Sequence, residues 1–148
     1  MFWFSIAGVL VLDQMSKYYI RRHFSVGESL PIIDGWVKLL YTENAGAAFG
    51  MLEGGRWVFV LLSSAFMVFA AILYPRVQGF GWPIVASLGL VVGGTVGNLI
   101  DRVARGTVTD FIAVKYFPAI FNVADAAIVV GCLVLVIWII FYPHGMEI

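Results

Sequence analysis

Four long apolar stretches alternate with polar segments along the chain: Phe2 to about Ile20, Trp57 to Tyr74, Trp82 to Ile100, and Ala126 to Tyr142. A helix needs roughly 20 residues to cross about 30 Å of hydrocarbon, and each stretch approaches that length. The last three are uncharged, whereas the first is apolar through Leu12 and then carries Asp13, Ser16 and Lys17. It has neither a basic start nor a small-x-small cleavage site ahead of Asp13, so it reads as a retained helix and not as a removed signal peptide.

The connections differ in character. Pro75 to Gly81 reads as a short turn. The longer link from Arg21 to Arg56 holds two β-rich segments, Leu30 to Ile33 and Trp36 to Thr42, around Asp34-Gly35, which is a hairpin signal. Thr107 to Val114 is a third extended piece, and Gly54-Gly55 marks the return to helix. The pattern predicts an all-α membrane protein in which four transmembrane helices carry a small β-sheet at the membrane surface. Residues 1–148 read as a single integral membrane domain, and an even number of spans puts both termini on one side.

Composition agrees: 61% of residues are hydrophobic and 12% charged, with a mean hydropathy of +0.96, far from a soluble globular mixture. Nine Lys plus Arg balance nine Asp plus Glu. With no basic stripe interleaved with aromatics, the chain carries no case for nucleic acid. The one cysteine, Cys132, allows no internal disulfide and sits mid-run as a buried thiol would. Val129-Val-Gly-Cys132 has a faint likeness to a lipoprotein cleavage box, but its place inside the fourth span argues against the chain being such a substrate.

Carboxylates near hydrocarbon are costly and usually retained for function. Asp110, in Gly106-Thr-Val-Thr-Asp110-Phe111, and Asp125, in Phe121-Asn-Val-Ala-Asp125, flank the gap between the third and fourth spans. If they converge they can share a proton and activate a water. Asn98 and Asp101, three apart, share a helix face, as do Asn122 and Asp125; Asn122 alternatively serves only as an N-cap. Asp13 and Lys17 have ion-pair spacing and order, and a structural ion pair there, like one between Asp101 and Arg102, would brace a helix end. Gly89, Gly93 and Gly97 recur every fourth residue, which lets a neighbouring backbone approach. Asn44-Ala-Gly-Ala-Ala-Phe-Gly50 would let an extended peptide lie close, with Asn44 bonding to it through both amide groups.

Five segments in order resemble one family: Asp13-Gln-Met-Ser-Lys17, Asn44-Ala-Gly-Ala-Ala-Phe49, Gly93-Gly-Thr-Val-Gly-Asn98 running into Asp101-Arg102, Gly106-Thr-Val-Thr-Asp110-Phe111, and Phe121-Asn-Val-Ala-Asp125. Together they are similar to lipoprotein signal peptidase, also called signal peptidase II. The resemblance implies an aspartic endopeptidase of the bacterial cytoplasmic membrane that removes the signal peptide from prolipoproteins, cutting before a diacylglyceryl-modified cysteine. It implies Asp110 and Asp125 as the catalytic pair, with Asp13, Lys17, Asn44, Asn98, Asp101, Arg102 and Asn122 lining or bracing the site. It further implies inhibition by globomycin-type compounds; contact with membrane lipid, no cofactor or metal, and action as a monomer are expected. Both termini are then cytoplasmic and the site lies at the outer face. A plain count of basic residues puts the long links in the cytoplasm instead; the resemblance is preferred, because most of those residues lie close to acidic ones.

Asp125, at a helix start, is expected to carry the ionised form more of the time. Other classes fit less well. An ion or proton transporter needs a deep polar path that the second and fourth spans lack, and a packing scaffold leaves the aspartates without a role. A metal-dependent phosphotransferase lacks a tight ligand spacing among Asp101, Asp110 and Asp125. His23 and His144 lie in no serine-protease triad or zinc motif.

Overall fold

The computed structural model describes residues 1–46 and 55–141. Ala47 to Gly50 of the small-residue run, Gly54, Tyr142 and His144 lie outside the described residues. The elements in chain order are α1 (Phe2–His23), β1 (Ser29–Ile33), β2 (Val37–Asn44), α2 (Arg56–Val77), α3 (Trp82–Arg105), β3 (Val108–Val114) and α4 (Val123–Phe141).

Among the described residues, three helical segments are long and apolar enough to cross a membrane, Arg56–Phe80, Trp82–Arg105 and Val123–Phe141. The expected count of four is met only in helices: α1 is 22 residues long but carries Asp13, Lys17, Arg21 and Arg22 in its second half. The expected turn from Pro75 to Gly81 is also corrected. Pro75 lies inside α2, a 3-10 turn covers Gln78–Phe80, and the link narrows to Gly81 at φ 92°. Proline deletes one amide donor, whereas leaving the helix early in apolar surroundings would strand several backbone groups.

α3 is the hub, because its glycines admit two neighbours. A side chain at Gly89 would meet the Phe2 carbonyl at 2.7 Å and one at Gly93 the Val9 Cβ at 3.0 Å, so α1 packs on this face. On the other side Gly94 faces Ala124 and Ile128 of α4, and α4 answers with Gly131 against the Ser87 carbonyl. Close backbone approach replaces the hydrophobic drive that lipid removes. Far from the sheet, Phe2, Ala70, Val77, Ile84, Leu88 and Val92 form a buried cluster. The outer faces of α2 and α4 stay apolar and exposed, with Leu61, Phe69, Leu133 and Ile140 among the side chains there; Cys132, expected to be buried, lies exposed on this face of α4 instead.

The strands form one antiparallel sheet in the order β1-β2-β3. The Asp34-Gly35 hairpin is present: Gly35 has φ 70° and the Trp36 N–H donates to the Ile33 carbonyl at 2.9 Å. Between β2 and β3 the register steps from Leu39↔Ile112 to Thr42↔Asp110, three residues on one strand against two on the other. That bulge turns Thr42 and Asn44 onto the face of Asp110 and Val108, next to the site. Behind it, Ile20, Tyr41 and Phe111 form a second buried cluster tying the sheet to α1.

Candidate active site

α4 begins three residues earlier than expected because its first turn is capped from three directions. The Asp125 N–H donates to Asn122 Oδ1 at 2.9 Å, and the Asn122 N–H donates to Asp125 Oδ2 at 3.2 Å. These reciprocal bonds form a capping box. The Ala124 N–H donates to Asp13 Oδ1 of α1 at 3.0 Å. Asp125 is therefore inside the helix, where the unsatisfied amides and the positive end of the dipole favour a carboxylate.

The two roles considered for Asn122 are both filled. While its oxygen caps α4, its Nδ2 donates to Asp110 Oδ1 at 2.7 Å and to Asn98 Oδ1 at 3.1 Å. Asn98 Nδ2 donates in turn to Asp125 Oδ1 at 2.7 Å. Asn44 Nδ2 donates to Asp110 Oδ2 at 3.0 Å. Each of the four carboxylate oxygens thus accepts a hydrogen bond, and Asn122 touches both carboxylates. Asn44 Oδ1 accepts the Gly46 N–H at 2.9 Å, so each of its amide groups makes a bond within the protein while the side chain still lines the cleft.

The chain between the two aspartates folds back on β3. Phe121 bridges to Ile112, with the Ile112 N–H donating to the Phe121 carbonyl at 2.8 Å and the Phe121 N–H returning to Ile112 at 3.1 Å. Tyr116, at φ 66°, makes the reversal. This return brings α4's first turn beside Asp110.

Beneath the pair lies a buried ion cluster. Lys17 Nζ contacts Asp13 Oδ2 at 2.9 Å, Asp101 Oδ2 at 3.1 Å and Asn98 Oδ1 at 3.0 Å. Lys17 and Asp13 are 0% exposed and Asp101 1%, so each charge depends on its partners. The expected Asp101–Arg102 pair is replaced. Asp101 faces Lys17 and Arg21, the latter at 3.7 Å, because sequential residues on a helix point about 100° apart. Arg102 instead donates to the Gly46 carbonyl at 3.1 Å and lies over the Phe59 ring at 4.7 Å.

Arg21 is a bracing residue that sequence reasoning missed. It donates to Thr109 Oγ1 at 3.0 Å, while the Thr109 N–H donates to Asp101 Oδ2 at 3.2 Å. Together they hold β3 at the residue before Asp110. The signal was the spacing Asp13, Lys17, Arg21, four apart along one helix face.

Gly97 gains a sharper role than packing, since a Cβ there would lie 2.6 Å from Asp13 Oδ2. Gln14 fixes the same carboxylate, donating to Asp13 Oδ2 at 3.0 Å and to the Gly97 carbonyl at 3.2 Å. Gly97→Ala is expected to destabilise by about 1–3 kcal/mol, overcoming the helix-propensity gain of about 1 kcal/mol. Thermal unfolding in detergent measures it, and a stabilised variant would show that Asp13 relocates freely.

Asp110, on the sheet and outside the spanning helices, has its pKa pushed up to about 6. Burial is the main cause and the neighbouring Asp125 charge adds to it, while the amides of Asn44 and Asn122 pull the other way. Both aspartates line a cleft of about 540 Å³ together with Asn44, Asn98 and Arg102. Its remaining wall is apolar, including Phe59 of α2 and Val129 and Val130 of α4. Two carboxylates joined through Asn122, one with a raised pKa, thus face a largely apolar groove.

The family model described as Signal peptidase (SPase) II matches residues 5–141. A lipoprotein signal peptidase of Halothermothrix orenii is 39% identical over 131 residues, covering 88% of this chain and 89% of that protein. One of Moorella thermoacetica is 41% identical over 139 residues, covering 94% and 91%. A bacterial membrane enzyme structure obtained by the in meso method at 2.3 Å resolution superposes with a TM-score of 0.92 at 26% identity, over 99% of this chain and 91% of that one. With most of its length matched by the family and its relatives, and with apolar helices long enough to span, this chain is a bacterial membrane protein belonging to the signal peptidase II family.

Proposed function

We propose that this protein is an aspartic endopeptidase that removes the signal peptide from prolipoproteins, cutting before a diacylglyceryl-modified cysteine, with Asp110 and Asp125 as its catalytic pair. The observation that carries this reading is the bridge of Asn122 to both carboxylates at the edge of an apolar cleft. Charge balance supports a single shared proton. Lys17, Arg21 and Arg102 supply three positive charges around Asp13, Asp101, Asp110 and Asp125, so protonating one of the four carboxylates restores neutrality.

In this reading Asp125, ionised at the α4 N-terminus, takes a proton from water as the oxygen attacks the scissile carbonyl. Asp110, protonated, donates its proton to the carbonyl oxygen. Collapse of the tetrahedral diol returns the Asp110 proton, and Asp125 passes its own to the departing cysteine nitrogen. Asn44, Asn98 and Asn122 hold the carboxylates in place, Asp13, Lys17 and Asp101 anchor that frame, and Arg102 borders the cleft. The substrate's acyl chains partition into lipid at roughly 0.8 kcal/mol per buried CH₂, so the ligand arrives by diffusion in the bilayer plane.

In the same reading α1 is the fourth span, with Asp13, Lys17 and Arg21 turned inward onto α3, β3 and α4 instead of toward lipid. Connectivity then puts the start of α1 and the end of α4 opposite the site, which corresponds to cytoplasmic termini and a site and sheet at the outer surface. The basic-residue count that opposes this is weakened by the internal duties of Lys17, Arg21 and Arg102. We assign the enzyme to the cytoplasmic membrane as a monomeric single domain inhibited by globomycin-type compounds.

Incubating purified enzyme with lipidated and unlipidated precursor tests the assignment. Cleavage of the lipidated form alone, blocked by globomycin, is expected; equal cleavage of both rejects the lipid requirement. The pH profile is a second check. Protonated Asp110 is lost as pH rises through about 6, so kcat/KM is expected to decline on that alkaline limb. Asn44 donates to the ionised form and lowers this pKa; Asn44→Ala is therefore expected to move the limb upward while reducing kcat about tenfold or more. A limb that stays in place would separate Asn44 from Asp110.

A further inference from the structure

The side of the sheet that packs on α1 continues past the helix. Tyr41 and Phe111 meet Ile20 on that side, and strand alternation carries it on to Ala113 with its partner Lys38, then to Lys115. A groove of about 300 Å³ lies there, walled by Pro31, Ile33, Trp36 and Ala113 with Lys38 and Lys115. Among the described residues no acidic side chain lines it.

The surroundings are those of a membrane interface. Lys115 Nζ stands 5.1 Å from the Trp36 ring and 4.9 Å from the Tyr116 ring. Trp36 is 58% and Tyr116 84% exposed, and Ile33 is exposed on the groove wall. Indole and phenol rings with lysines are the residues that settle at headgroup depth, where apolar and polar ends are both satisfied. β1 is exposed along its whole length, and the end of α1 from which the sheet departs adds the exposed Arg22 and His23.

We propose that this groove seats the headgroup of an anionic phospholipid, its phosphate between the Lys38 and Lys115 ammonium groups and its acyl chains against the exposed aromatic and aliphatic rim. The site would hold the sheet level on the bilayer and so set the height of Asp110 above it. This rests on the membrane placement proposed above and not on the peptidase chemistry.

The test titrates the full-length protein in detergent with short-chain phosphatidylglycerol, phosphatidylcholine and glycerol phosphate, read by native mass spectrometry. Phosphatidylglycerol is expected to bind about tenfold or more tightly than phosphatidylcholine, and Lys38→Gln with Lys115→Gln is expected to remove that preference while leaving turnover of lipidated precursor in detergent unchanged. An undiminished preference in the double variant overturns the site. Glycerol phosphate binding as tightly as the lipid overturns it too, since the groove would then be a soluble-phosphate site. Lipid preference lost in the variant, with no cleavage even by the wild type, would support the groove and reject the peptidase.

Discussion

Asp110→Asn and Asp125→Asn are each expected to reduce cleavage of a lipidated precursor by roughly 10³- to 10⁴-fold, because each removes one half of a proton exchange that the reaction uses twice. Each also disturbs the local hydrogen bonding. Asp125→Asn keeps an oxygen able to accept the Asn122 N–H, so α4's cap persists, but its new amide group is set against Asn98 Nδ2, which donates to Asp125 now. Asp110→Asn sets an amide donor against Asn44 or Asn122, both of which donate to Asp110 now; some loss of stability is expected there. Residues that act as a unit are strongly non-additive, so the double variant is expected to be no slower than the worse single one. Turnover of lipidated precursor beside thermal unfolding separates chemistry from folding. Activity within tenfold of wild type in either folded variant would remove that aspartate from the catalytic pair.

Lys17→Met is expected to cost about 3–5 kcal/mol of stability, the range for stripping the partner from a buried charge. The methionine fills most of the space, so a cavity is not the cause. What remains is two buried carboxylates, Asp13 and Asp101, and an Asn98 oxygen that loses a donor. Since Asp13 caps α4 and Asp101 holds the Thr109 amide of β3, the loss reaches both elements that carry the aspartate pair. Adding Asp13→Asn removes one stranded charge, so the double variant is expected to recover part of the loss, a coupling that a cycle measures. Unfolding at the wild-type temperature by Lys17→Met would show that the cluster does not hold the helices together.

Much of this architecture was readable from residue order. Apolar runs of the right length marked four helices, because the only way to hide a backbone from lipid within one segment is to coil it. The Asp34-Gly35 turn marked the hairpin, since its glycine takes the positive φ that turn geometry asks for. The helix ends were harder to place: Pro75 was passed over and Asn122 started α4 early, as competing local signals are resolved by which backbone groups find partners.

The site was legible as a set of residue types and illegible as a wiring scheme. Chain order alone determined that an apolar protein carries costly carboxylates, amides and an Asp13–Lys17 pair near helix ends, and the motifs tied these to a family. Only the tertiary structure decided that Asp101 answers Lys17 and Arg21 and not its neighbour Arg102, that Asn44 braces Asp110, and that Gly97 makes room for Asp13. The physical reason is range. Periodicity reports contacts three or four residues apart, whereas Lys17 meets Asn98 across 81 positions and Asp13 meets Ala124 across 111, and such meetings exist only after α1, α3 and α4 have packed.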